Sequence, residues 1–320
     1  MVTASQHLMV GVSDMEESLR LFRDVMQLQV EADYSASGSL LAAWGLPEGT
    51  SARLVELSCK GYSFGRLRLA AFDPVPTQKV RIHSGEGPHD GPADIGCKAI
   101  DFYVSAPIRP KYEAIVECGY EARSEPVLHE VGDTISEEFV FFGPDGVPLL
   151  YMVGHKHDLD QLRPGSPDGP FSEVATVSVV GADIAATRAF YEGVLGLNLI
   201  IDQESTPEFL ESVNKLTGTP KGTAIRWLLY GAAGEASGKI LVVHFTGADT
   251  VRLTGRMRPG HLGFSVLSHH TDDIDGLYQR MVEGGYEIVT KPVEVEMAGT
   301  QQRLMLVKGP NEEMFEFVGS

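Results

Sequence analysis

GLPEGTSAR at residues 45–53 returns as GTPKGTAIR at residues 218–226. Other stretches repeat around this pair. LFRDVMQLQV (21–30) matches FYEGVLGLNL (190–199), ECGYEARSEPV (117–127) matches EGGYEIVTKPV (283–293), and FGPDG (142–146) matches KGPNE (308–312). Self-similarity of this kind fixes the architecture before any single element does. Each quarter of the chain carries the order strand, helix, three strands. In the first quarter His7–Val12 reads as a strand. Ser13 and Asp14 offer a helix cap, with Glu16 three residues after Ser13. Met15, Leu19, Phe22 and Met26 follow at helical spacing. Residues 28–34, 52–58 and 66–72 read as the three strands.

The second quarter begins with a strand at 97–104 and ends with one at 147–153. The third runs from a strand at 173–180, through a helix at 183–195, to a strand at 239–245. The fourth runs from a strand at 261–267, through a helix at 273–283, to a strand at 313–318. Glycine and proline gather at the seams, 73–96, 154–170 and 247–260. This predicts an α+β protein of four βαβββ modules in tandem. Modules 1–74 and 95–154 form an N-terminal domain over 1–154, and modules 171–247 and 259–320 form a C-terminal domain over 171–320. A module leaves one face of its sheet bare, so modules pair into curved sheets around two clefts.

The chain has 26 basic and 44 acidic residues, a net charge of −18. No basic cluster offsets it, which argues against a nucleic-acid or anionic-membrane partner. Three cysteines without a CxxC give neither a zinc ribbon nor a disulfide framework. With no signal-peptide pattern at the start and no apolar run of about 18 residues, the expectation is a cytoplasmic protein that handles a small molecule, possible also as a homo-oligomer.

HLMVGVSDMEESLRLF at the start and GPNEEMFEF at the end, with poorer copies between, resemble the vicinal-oxygen-chelate superfamily of glyoxalases, extradiol dioxygenases, epimerases and bleomycin-resistance proteins. The resemblance implies a metal-binding His on the first strand of a module and a Glu on its last. Carried over, the His positions hold His7, Ala99, Thr176 and His261, and the Glu positions hold Leu150 and Glu316. His7, His261 and Glu316 then make a triad of two imidazoles and a carboxylate suited to Fe(II), Mn(II) or Zn(II). It closes only if modules 1 and 4 pair, leaving 2 and 3 around a metal-free cleft, an arrangement most like the hydroquinone ring-cleaving dioxygenases.

Oxygenative cleavage of an aromatic diol at Fe(II) is therefore the first expectation. His269 and His270 are its acid/base candidates, because Met305 and Leu306 stand where that group commonly has a tyrosine and Gln6 where it often has a second His. Glyoxalase-like isomerase, epimerase or lyase chemistry is the second, although RLRLAAF (66–72) offers no carboxylate as a fourth ligand. A non-catalytic binder of a small aromatic molecule is the third. The remaining histidines read more simply: His155 and His157 as a linker, His244 as core, and His83, His89 and His129 as loop residues.

Overall fold

The computed structural model describes residues 2–62, 64–83, 88–131, 134–156 and 170–319. His157 and most of the seam between the halves lie outside them. Module one comprises β1 (Val2–Val12), α1 (Met15–Leu19), β2 (Gln29–Ser35), α2 (Gly38–Ala43), β3 (Ser51–Ser58) and β4 (Arg66–Asp73). Module two comprises β5 (Gly96–Val104), α3 (Arg109–Glu117), β6 (Glu121–Ala122), β7 (Val127–Val131), β8 (Thr134–Phe142) and β9 (Pro148–Lys156). Module three comprises β10 (Phe171–Val180), α4 (Ile184–Arg188), β11 (Asn198–Glu204), α5 (Pro207–Thr217), β12 (Ala224–Gly231) and β13 (Lys239–Thr246). Module four comprises β14 (Gly263–Thr271), α6 (Ile274–Glu283), β15 (Glu287–Met297), β16 (Thr300–Lys308) and β17 (Met314–Gly319).

The repeat is visible in the local physics. Aspartates 14, 183 and 273 cap α1, α4 and α6, each accepting backbone N–H groups of the first turn. Ser13 is not the cap; its hydroxyl donates to Asp145 at 2.6 Å. In modules one and three the helix continues as a π-helical segment, Arg20–Val25 and Ala189–Val194. The opening repeat is a helix-exit turn used twice. Gly45 and Gly218 stand at φ of 71° and 73°, and Gly49 and Gly222 both at 88°, a left-handed region that glycine enters without a Cβ penalty.

β1 pairs antiparallel with β14, and β5 with β10. The sheets therefore cross the halves of the chain. One runs β15-β16-β17-β14-β1-β4-β3-β2 from modules one and four, and the other β11-β12-β13-β10-β5-β9-β8-β6 from modules two and three. The sequence halves 1–154 and 171–320 each contribute to both. The architecture is α+β with two curved sheets, and the helices and the sheets' outer faces share one apolar core. No helix among the described residues is long and apolar enough to cross a membrane.

The β1–β14 junction is tight. A Cβ built on Gly11 would lie 2.0 Å from the His261 carbonyl oxygen. Gly11→Ala is expected to cost about 1–3 kcal/mol by forcing the strands apart. A urea midpoint unchanged from the parent would show that this contact is not rigid.

Candidate functional site

The inner face of the first sheet is set by strand register. His7 lies opposite Ser268, Ser268 opposite Glu316, Met9 opposite Arg68, and Arg68 opposite Glu56. Residues directly across a sheet share a face, so these polar groups meet in one cleft. Glu316, 1% exposed, accepts from Trp44 Nε1 at 2.8 Å, Arg68 Nη1 at 2.9 Å and Ser268 Oγ at 2.7 Å. The Arg68 Nε donates to Glu56 Oε1 at 3.2 Å, and Tyr34 donates to the same oxygen at 2.9 Å. The His7 Nε2 lies 3.3 Å from Glu56 Oε2.

Burial alone would lower the Arg68 pKa, yet the two carboxylates raise it above its ordinary value. Burial would likewise raise the Glu56 carboxyl, but His7 and the Arg68 charge hold it well below the usual carboxylate range. Burial first and Arg68 second lower the pKa of His7 and favour its neutral form.

His261 is not in this cleft. The strand read at 261–267 lies instead at Gly263–Thr271, and His261 sits in the turn before it, Nδ1 2.9 Å from the Arg256 carbonyl oxygen. Its backbone abuts Gly11, four residues along β1 from His7 and so about 13 Å away at ~3.3 Å per residue. A ligand nitrogen must come within about 2 Å of its metal. Counting back seven residues from the cap, as His7 stands to Asp14, places Val266 against Asp273. The position of a second metal imidazole therefore holds valine.

His7 and Glu316 share the cleft, but a guanidinium lies between the carboxylates. Among the described residues no group of three or more His, Cys, Asp or Glu converges as a metal site. A divalent ion about 4 Å from Arg68 would meet a repulsion of roughly 8 kcal/mol at an effective dielectric near 20. The residues present do not fit a metal.

The acid/base candidates part company. His269 is fully buried on the other face, Nδ1 3.0 Å from the Thr3 carbonyl oxygen and ringed by Phe315 and Phe317, and burial pushes its pKa down to about 4. His270, two residues beyond Ser268, shares the cleft face; burial lowers its pKa too. Neither lines the large cavity of the second sheet.

That cavity has a volume of about 290 Å³. Its lining comes mostly from alternate residues: Ala99, Asp101 and Tyr103 on β5 (joined there by Lys98), Pro148, Leu150 and Met152 on β9, Thr176 and Ser178 on β10, Ile225, Trp227 and Leu229 on β12. α5 roofs it with Phe209, Val213 and Leu216. The corresponding helix of module one, α2, has six residues where α5 has eleven. The shorter helix is fastened to β15 through Ser37, Ser39 and Thr290, and the Trp44 that follows it fills the first cleft.

Lys98, Arg123, Asp101, His129 and Glu138 are the charged or imidazole groups in its lining. Asp101, 5% exposed, accepts from Ser178 Oγ at 2.8 Å through Oδ2, while Oδ1 has no partner. Burial, helped by the nearby Glu138 charge, pushes its pKa up to about 7. His129, 3% exposed, bonds Ser212 of α5 through Nδ1 at 2.9 Å and leaves Nε2 unpartnered. Glu138 accepts from Ser136 at 2.6 Å.

Sequence reasoning passed over Asp101 and set His129 aside as a loop residue. An aspartate in GCKAIDFYV, where Lys98 is the only other charged residue, was the available signal, since burying a carboxylate is costly. His244, assigned to core, packs beside Gly181 and does not line the cavity.

Residues 173–317 match the family model of the Glyoxalase/Bleomycin resistance protein/Dioxygenase superfamily. Among solved structures, glyoxalase I from Zea mays is 15% identical, with a TM-score of 0.58 over 99% of this chain and 92% of that one. A Bacillus subtilis protein provisionally described as a dioxygenase is 12% identical, with a TM-score of 0.60 over 99% and 85%. At these identities the likeness is one of fold. No curated protein matches the sequence.

Proposed function

We propose that this chain, whose residues 173–317 match the Glyoxalase/Bleomycin resistance protein/Dioxygenase superfamily model, binds a compact, largely apolar organic molecule in the cleft of modules two and three, without a metal. Superfamily members are mostly metal-dependent enzymes, and the fold is one that supports several chemistries, so the site must carry the argument. The observation that carries it is the cavity, in which two deeply buried side chains each present an unpartnered polar atom. An apolar pocket with a few convergent polar groups is the usual form of a small-molecule site. Aromatic walls from Trp227, Phe209 and Tyr103 suit a ring, and Asp101 Oδ1 suits a hydroxyl or amine donor on it.

Ring cleavage at Fe(II), and isomerase or lyase chemistry through a metal-bound enediolate, both call on His7, His261 and Glu316 as a set. The separation of His261 and the position of Arg68 count against both. A specific observation favours a second reading, metal-independent acid–base catalysis: a carboxyl with its pKa near 7 in a cavity is matched to proton transfer at neutral pH.

Trp227 lines the cavity, so binding of small phenols and aromatic amines should change its fluorescence. Ala99→Phe, which fills the cavity from β5, should weaken binding at least about tenfold, a loss of about 1.4 kcal/mol. Binding that survives Ala99→Phe unchanged would put the ligand elsewhere. Metal analysis of protein purified without chelator, and oxygen uptake with catechols and hydroquinones under Fe(II) and ascorbate, would revive the ring-cleaving reading if both were positive and both were lost in His7→Ala.

A further inference from the structure

Both clefts hold cations, and they differ in what answers the charge. In the first, Arg68 meets the carboxylates of Glu56 and Glu316. In the second, Lys98 and Arg123 line the cavity, and among the described residues neither forms an ion pair. Lys98, buried on β5, donates to the Pro92 carbonyl oxygen at 2.8 Å, and its Nζ lies 4.5 Å from the centroid of the Phe245 ring. That occupies one of the three donors of an ammonium. The Arg123 guanidinium lies 5.1 Å from the Phe142 ring centroid. Its stem passes the Gly218 exit of α5, where a Cβ would lie 2.9 Å from Arg123 Cδ. Among the described residues its side chain makes no hydrogen bond.

Burial lowers the Arg123 pKa to about 10. Burial first, then the Arg123 and Arg81 charges, hold the Lys98 amine well below the usual lysine range. Cations close enough to depress one another, with no acid paired to them, leave this end of the cavity short of a negative charge. The acids in the same wall do not supply it. Asp101, its pKa raised to about 7, is largely protonated below neutrality, and Glu138 is engaged by Ser136.

We propose that Lys98 and Arg123 form an anion subsite in this cavity, and that the ligand is a small aromatic monocarboxylate. Its ring would lie against Trp227, Phe209 and Tyr103, with its carboxylate held by the two cations. A guanidinium can donate two parallel N–H bonds to a carboxylate and an ammonium a third. The bound anion also offsets the repulsion between the cations, so it is preferred over an uncharged molecule of the same shape. The inference rests on the reading that the second cleft is the binding site, and adds the charge of what binds there.

The test is calorimetric titration of the whole chain, slightly below neutral pH, with benzoate and with its uncharged amide, benzamide. Benzoate is expected to bind at least about tenfold tighter, the size of one charge-assisted hydrogen bond. Arg123→Gln and Lys98→Met should each bring that ratio toward one, whereas Arg123→Lys, which keeps the charge, should hold most of it. Benzamide binding the parent as tightly as benzoate would overturn the anion subsite and leave the cavity reading standing. A benzoate preference unchanged in a folded Arg123→Gln or Lys98→Met would overturn it too, by placing the anion elsewhere. If benzoate, benzamide and phenol all fail to bind the parent, the cavity reading falls and the subsite with it. Arg123 is held by no side-chain hydrogen bond among the described residues, so Arg123→Gln should fold, and it decides alone if Lys98→Met does not.

Discussion

Glu316→Leu is expected to lower the free energy of unfolding by about 3–5 kcal/mol, the range for removing one partner of a buried ion pair. Leucine has nearly the right volume, so packing is not the main loss. What remains is the difficulty: Arg68 Nη1, Trp44 Nε1 and Ser268 Oγ are all left pointing at an alkyl group. Buried donors without acceptors carry their full desolvation cost. Glu316→Gln should be milder, because its amide oxygen still accepts from Arg68. Urea unfolding measures both. A leucine variant within about 0.5 kcal/mol of the parent, the range of an ordinary surface substitution, would mean that water reaches this cluster, and the closed-cleft picture would fall with it.

The second large effect is a stability gain from Asp101→Asn, and its sign depends on pH. The Asp101 carboxyl has its pKa raised from 3.8 to about 7 in the fold, first of all by burial. Between those values the unfolded chain has released the proton while the folded chain still holds it. The folded state therefore binds more protons, and Asp101's contribution to stability falls as pH rises through this window. It is favourable only at the acid end and flattens above about pH 7. Conversion at 1.36 kcal/mol per pH unit puts the full loss on the order of 4 kcal/mol. Asparagine keeps the shape and cannot ionise. The difference between Asp101→Asn and the parent should be near zero at about pH 4 and reach roughly 2–4 kcal/mol in favour of the variant by pH 8. A difference constant with pH would show that Asp101 is ionised in the fold at neutral pH.

Several layers were legible in the residues. The four modules follow from the internal repeat, and the α+β class follows from the modules. GLPEGT and GTPKGT spelled out two equivalent helix exits before any coordinate did, because glycine at a left-handed position leaves a fixed local signature. Pairing of modules one and four was expected from a metal triad, and the hydrogen-bonded register supplies it. The triad itself does not close, since His261 lies in the turn before β14 rather than on it. Its strand was read four residues early at its C-terminal end, because HLGFSVL alternates as plausibly as the true strand. The capping aspartate Asp273 was the better ruler. Helices α2 and α5 were missed, one for its brevity and both for lying between strands where a loop was expected.

The sequence alone determined the modules, their order, the caps and turns, and which residues alternate toward a cleft. Those depend on backbone preferences and on period-two patterning, which act over a few residues. Only the tertiary structure decided which cleft is open. That choice rests on Trp44 and Arg68 meeting Glu316, more than 240 residues away in the chain, and on a helix five residues longer roofing one sheet but not the other. Charge neutralisation and cavity filling depend on what lies opposite across a sheet, and no local pattern encodes the residue that will arrive there.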